Sequence, residues 1–154
     1  SFVRESGPTR KYGTMGTLLG LTLRTSRGQL LRAAIEGLSS QLRQALRILT
    51  ETTALEIKVI RVVGGGSKNP LWNQVRADVT GLPVITTEQK EYTTVGAALY
   101  AFIGIGRYRS PEDATKHVFS QQSVFRSGRN QSIYQNVFRC YMKVLKSLED
   151  FYQH

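Results

Sequence analysis

The run Val62-Val63-Gly64-Gly65-Gly66-Ser67-Lys68-Asn69-Pro70-Leu71-Trp72 constrains this chain more than any other stretch. Before it, the β-branched residues from Ile57 to Val63 read as a buried strand. The consecutive glycines Gly64, Gly65 and Gly66 then make a turn whose backbone accepts φ > 0 and can lie against a ligand without a side chain intervening. Asn69 and Pro70 start a helix, a capping side chain followed by the residue best suited to the first helical position. Strand, glycine turn and helix N-terminus bring free N–H groups together at the positive end of a helix dipole, which suits phosphate. The spacing matches neither a P-loop, which needs Gly-Lys-Ser or Gly-Lys-Thr, nor a GxGxxG dinucleotide turn. The same glycines also serve an ordinary tight strand-to-helix connection, so residue types alone leave both readings open.

The remaining composition narrows the function class. A chain of 154 residues, 40% of them hydrophobic, can bury the core of one domain, and none of its apolar runs approaches a membrane span. It opens on Ser1-Phe2-Val3-Arg4-Glu5, without an initiator Met or a signal peptide, which reads as a processed or truncated chain. The single Cys140 excludes an internal disulfide and fits a reducing cytoplasm. With only His117 and His154 besides, no metal site is expected. The net charge of +10 admits nucleic acid or an anionic small molecule as partner. The cations are nevertheless scattered from Arg24 to Lys146 without a dense block, as on a solvated surface.

Taken in order, residues 1–17 hold Gly7, Pro8, Gly13 and Gly16 and read as loop, and Leu18–Leu23 as a short strand. Ser26, with Gln29 three residues on, resembles a capping box. The helix it opens carries Leu31, Ala34, Ile35, Leu38, Leu42, Ala45, Leu46 and Leu49 on one apolar stripe and runs to about Thr50. The helix after the glycine turn runs from Pro70 to about Thr80, where Gly81 ends it, and Pro83–Thr87 is a second strand. A helix with a small-residue face follows at Thr93–Ala101, and Ser110-Pro111 caps another. Ser120–Asn130 reads as a polar, basic, mobile loop, and Tyr134, Val137, Phe138, Tyr141, Leu145, Leu148 and Tyr152 mark a terminal amphipathic helix. Alternating helices and strands predict an α/β domain built on a parallel sheet, with Gly64–Ser67 at the carboxyl end of its strand, where open α/β sheets bind ligands.

Three blocks of sequence carry a resemblance. They are Gly20-Leu21-Thr22-Leu23 with Thr25-Ser26-Arg27-Gly28 and Arg32–Leu38; Val63–Gln74 with Ala77–Val84; and Gly96-Ala97-Ala98. In this order and spacing, over residues 18–118, they resemble the carboxyl-terminal domain of the FGGY family of carbohydrate kinases. Within the family they are most similar to the branch acting on L-fuculose, with the branches acting on xylulose and rhamnulose next.

The resemblance implies an actin-like ATPase, ribonuclease-H-like fold, incomplete at its N-terminal side. Residues 1–17 would be a loop remnant of the preceding segment and 18–154 the nucleotide-side domain with its terminal helix. It also implies ATP-dependent phosphorylation of a ketose such as L-fuculose, in the cytoplasm, with ATP and Mg2+ as cofactors. In the family the sugar pocket, the catalytic aspartate and most of the magnesium site belong to preceding sequence. No catalytic residue is therefore expected in this chain, and the chain alone should be inactive. Carried over by position, Gly65 and Gly66 resemble the glycines that meet the nucleotide phosphates, and Asn69 the residue beside adenine. Gly64 and Ser67 complete the turn, and Lys68 is placed to reach phosphate or ribose, with a solvated lysine as the alternative. Asp78, two helical turns beyond Pro70, is expected to be structural. The partners implied are ATP or ADP and a sugar bound mainly by the preceding domain, with neither membrane nor nucleic acid; separately, the apolar strand Ile57–Val63, short of a neighbour, is expected to expose an edge open to a second copy of the chain. The alternatives are a basic nucleic-acid-binding module, using Tyr134, Phe138 and Tyr141 near Arg139 and Lys143, and a non-catalytic interaction domain.

Overall fold

The computed structural model describes residues 16–87, 92–118 and 121–152. Most of the loop expected over residues 1–17, and Ser120 of the second expected loop, lie outside these. The elements run α1 (Arg27–Thr53), β1 (Ile60–Val62), a 3-10 turn (Gly65–Lys68), α2 (Pro70–Thr80), β2 (Val84–Thr87), α3 (Tyr92–Gly104), α4 (Pro111–Thr115), β3 (Gln122–Phe125) and α5 (Gln131–Tyr152).

Local chemistry sets the helix ends. Ser26 Oγ accepts from Gln29 N at 3.3 Å while Gln29 Oε1 accepts from Ser26 N at 2.8 Å, so the capping box is complete. Asn69 Oδ1 accepts from Trp72 N at 3.1 Å to open α2, whose first residue is Pro70. Gly81, at φ 75°, closes that helix and bonds back to the Ala77 carbonyl.

The sheet has the order β1-β2-β3. β1 and β2 are parallel, with Ile60 opposite Val84 and Val62 opposite Thr86, and α2 is the crossover between them. β3 is antiparallel to β2, pairing Phe125 with Val84 and Gln122 with Thr87. This corrects the expectation of a loop over 120–130: a sequence as polar as Gln122-Ser123 forms a strand because β2 offers it an edge. Leu18–Leu23 is not a strand but an exposed segment ending in a turn, where Thr25 N donates to the Thr22 carbonyl. β1 is shorter than the expected Ile57–Val63 and not fully buried, with Val59 and Val63 exposed, because among the described residues it has a neighbour on one side alone.

α2 is the hub, packing on α1, α5, β2 and β3. Ile35, Val75, Val79 and Tyr134 form the buried apolar cluster, with Trp72 against it. The buried residues of α1 are Ile35, Ser39, Ser40 and Gln44, whereas Leu31 and Leu49 of its apolar stripe are exposed. α3 is apolar yet has no buried residue, and it packs on α4. No helix among the described residues is long and apolar enough to cross a membrane.

Candidate functional site

The glycine turn begins where β1 ends. Gly64 sits at φ 83°, ψ −167°, a region open essentially to glycine alone. Gly65 is not among the residues with positive φ, which locates the backbone requirement at Gly64. A Cβ built on Gly65 meets nothing within 4 Å, so neither conformation nor internal packing requires glycine there. Gly66 differs, because its Cβ would lie 3.1 Å from Arg76 Nη2 and 3.4 Å from the Trp72 ring. Its glycine lets the turn sit flat on those two side chains.

Two hydrogen bonds hold the turn against α2, and two contacts within the helix brace them. Asn73, 1% exposed, donates from Nδ2 to the Ser67 carbonyl at 2.7 Å. Arg76 Nη1 donates to the Gly66 carbonyl at 3.1 Å and to Asn73 Oδ1 at 2.7 Å. The Arg76 guanidinium also lies over the Trp72 ring, 4.1 Å from its centroid. Burial pushes the Arg76 guanidinium below its ordinary value. Inside the turn, Ser67 N and Oγ both donate to the Gly64 carbonyl, at 3.1 and 2.7 Å. Ser67 N is the first donor of this 3-10 turn, so the amides of Gly65 and Gly66 precede its internal bonds. Lys68 and Asn69 are exposed beside them.

The turn thus brings Gly64, Gly65, Gly66, Ser67, Lys68 and Asn69 into one patch at the carboxyl end of β1. Asn73 and Arg76, the residues that fix it, were not singled out in the sequence. Their signal was spacing: positions three and six beyond the Pro70 start return to the face of α2 that carries the turn. Asp78 is remote from this patch and buried, its Oδ1 accepting from Gly128 N at 2.8 Å and Gln74 Nε2 at 3.0 Å. It ties the segment after β3 to α2. Among the described residues no group of three or more His, Cys, Asp or Glu side chains could hold a metal ion.

Comparison with known proteins gives this geometry its context. Residues 1–105 match the model of the FGGY family of carbohydrate kinases, C-terminal domain. The chain is 41% identical over 106 residues to L-fuculokinase of Escherichia coli (strain K12), covering 69% of this chain and 22% of that protein. It is similar in structure to a xylulose kinase from Lactobacillus acidophilus, with a TM-score of 0.77 and 23% identity, over 91% of this chain and 28% of that one. A glycerol kinase from Plasmodium falciparum, solved with ADP, has a TM-score of 0.71 and 25% identity, over 86% of this chain and 26% of that one. The chain therefore spans 22–28% of the length of these relatives, and it belongs to the FGGY family of carbohydrate kinases, whose C-terminal domain it carries.

Proposed function

We propose that this chain is the nucleotide-side half of an ATP-dependent sugar kinase, with Gly64–Asn69 as the seat of the nucleotide. The observation that carries the reading is Gly65, a glycine that the fold itself requires neither for φ nor for packing, beside amides that precede the turn's own hydrogen bonds at the carboxyl end of a parallel strand. Such a position suits the close approach of a polyphosphate. In this reading the Gly65 and Gly66 amides donate to phosphate oxygens, Lys68 adds a cation at phosphate or ribose, and Asn69 lies beside adenine. The ADP in the structurally similar glycerol kinase supports the ligand class.

Magnesium would arrive with the polyphosphate, and its protein ligands would be supplied beyond these residues, as would the base that takes the sugar hydroxyl proton. The level of identity to L-fuculokinase favours L-fuculose as the sugar. A cytoplasmic location fits the lone, unpaired Cys140. The burial of Tyr134 and Phe138, 4% and 6% exposed, weighs against base stacking and so against the nucleic-acid alternative.

The test is Gly65→Val in the enzyme that carries this domain. A side chain there meets open space in the protein, so the fold should persist, while ATP affinity by calorimetry should fall at least tenfold. Unchanged affinity would remove the turn from the nucleotide site.

A further inference from the structure

A groove of ≈ 720 Å³ lies on the opposite side of the domain from the glycine turn. Ile57, just before β1, and Leu82, just before β2, place it at the amino ends of the parallel strands. Thr80 marks the far end of α2, about 16 Å from Asn69 at the helical rise per residue. This site is therefore separate from the one assigned to the nucleotide.

Its walls carry two chemistries. Leu46, Ile57, Leu82, Phe138 and Met142 supply an apolar lining. Arg43, Arg47, Arg139 and Lys143 supply cations, against a single acid, Glu56, that is paired with Lys58 at 3.3 Å. The cations differ in how far they are already satisfied. Arg43 donates to the Val79 carbonyl at 3.0 Å and lies over the Phe138 ring at 4.3 Å. Arg47 meets Glu51 at 3.2 Å, and Arg139 bonds Asn136. The ammonium of Lys143 has no ion pair among the described residues. Burial, and secondarily the nearby charge of Arg47, push the Arg43 guanidinium down, so positive charge is crowded where water is partly excluded. An anion entering there relieves that repulsion, and an apolar body behind it covers the lining.

We propose that this groove is a second ligand site, taking an amphiphilic anion: one negatively charged head on an apolar tail. The volume falls within the range of small-molecule pockets, about 300–1,000 Å³. The anionic head sits among Arg47, Arg139 and Lys143, and the tail lies along Leu46, Leu82 and Met142 toward Phe138.

Methionine methyl resonances test this directly, because the chain has two methionines, Met15 and Met142, and Met142 lines the groove. The chain labelled with 13C-methyl methionine is titrated with sodium decanoate below its micelle concentration, and in parallel with decanol and with inorganic phosphate. The expected result is a saturable shift of the Met142 methyl with decanoate, at least tenfold weaker with either control. In the Arg47→Gln/Lys143→Gln double variant, whose thermal melt should match the parent because both side chains are exposed, decanoate affinity should fall at least tenfold. A shift that never saturates, equal affinity for decanol or for phosphate alone, or undiminished binding by the folded double variant would each overturn the proposal.

Discussion

The guanidinium of Arg76 rests on the indole of Trp72 at 4.1 Å, and that stack forms the bed of the glycine turn. Arg76 also reaches the Gly66 carbonyl, so one side chain couples the first turn of α2 to the loop before it. Arg76→Ala is expected to destabilise the domain by about 2 kcal/mol, the combined scale of a partly desolvated cation–π contact and a charge-assisted hydrogen bond. Arg76→Lys should recover less than half, since a point charge cannot stack and fork at once. Urea melts of the three proteins decide it, and equal midpoints would show that the turn does not lean on this residue.

Asn69 has two separable jobs in this reading. As the cap of α2 it accepts from Trp72 N at 3.1 Å, and Asn69→Ala should cost about 1 kcal/mol of stability. Asn69→Ser restores an oxygen that caps but not the amide proposed to lie beside adenine. The serine variant should therefore melt like the parent while its ATP affinity falls several-fold. Recovery of both properties by serine would confine Asn69 to capping.

The clasp between α1 and α5 should show a pH signature. Tyr134 donates to Glu36 Oε1 at 2.7 Å and accepts from Arg32 Nη2 at 2.5 Å, while Arg32 Nε meets Glu36 at 2.6 Å. Burial first, and then its bond to Glu36, raise the Tyr134 phenol above its ordinary value. The folded state thus keeps this proton after the unfolded chain has begun to lose it, near pH 10. Its stabilising effect is complete below that pH and is lost as pH rises through the folded value. Tyr134→Phe should remove this alkaline decline and cost about 1 kcal/mol at neutral pH, Arg32 and Glu36 remaining paired. A parallel alkaline decline in parent and variant, measured by thermal melts across pH 8–11, would assign the effect to other groups.

Among the described residues the outer edge of β1, beside the exposed Val59 and Val63, has no neighbouring strand. Such an edge recruits another strand. The 154-residue chain is expected to elute, under light scattering, with a mass above its 17.3 kDa monomer. Arg61→Pro, which places a ring in that edge, should shift the balance back toward monomer. A parent that is monomeric at high concentration would show that the edge is already covered.

These contacts also show where sequence reading succeeds and why it stops. Ser26 with Gln29, and Asn69 with Pro70 and Gly81, were legible because each acts through neighbours three or four residues away. The glycine turn was legible for the same reason, although residue types did not say which of its three glycines carries the positive φ, which is Gly64. β3 was not legible, since Gln122–Phe125 owes its extended form to β2. α1 misled in a different way. Its apolar stripe was real, but α2 and α5 take the neighbouring face, where Arg32, Glu36 and Arg43 bond Tyr134 or Val79 and where Ser39 and Gln44 are buried. Periodicity identifies a face suited to burial; it does not say which partner arrives.

The two borders of β2 are closed over unequal lengths of chain, residues 63–83 on one side and 88–121 on the other. Its parallel border with β1 needs only the α2 crossover, whereas its antiparallel border with β3 must wait until everything from α3 to α4 has been drawn into a loop. The entropy of loop closure rises only slowly with length, so the finished sheet loses little by this arrangement. The delay falls on assembly, where long-range pairings come late. Of the two pairings, β3 against β2, with the Asp78 tether behind it, is the one that spans the longer stretch of chain.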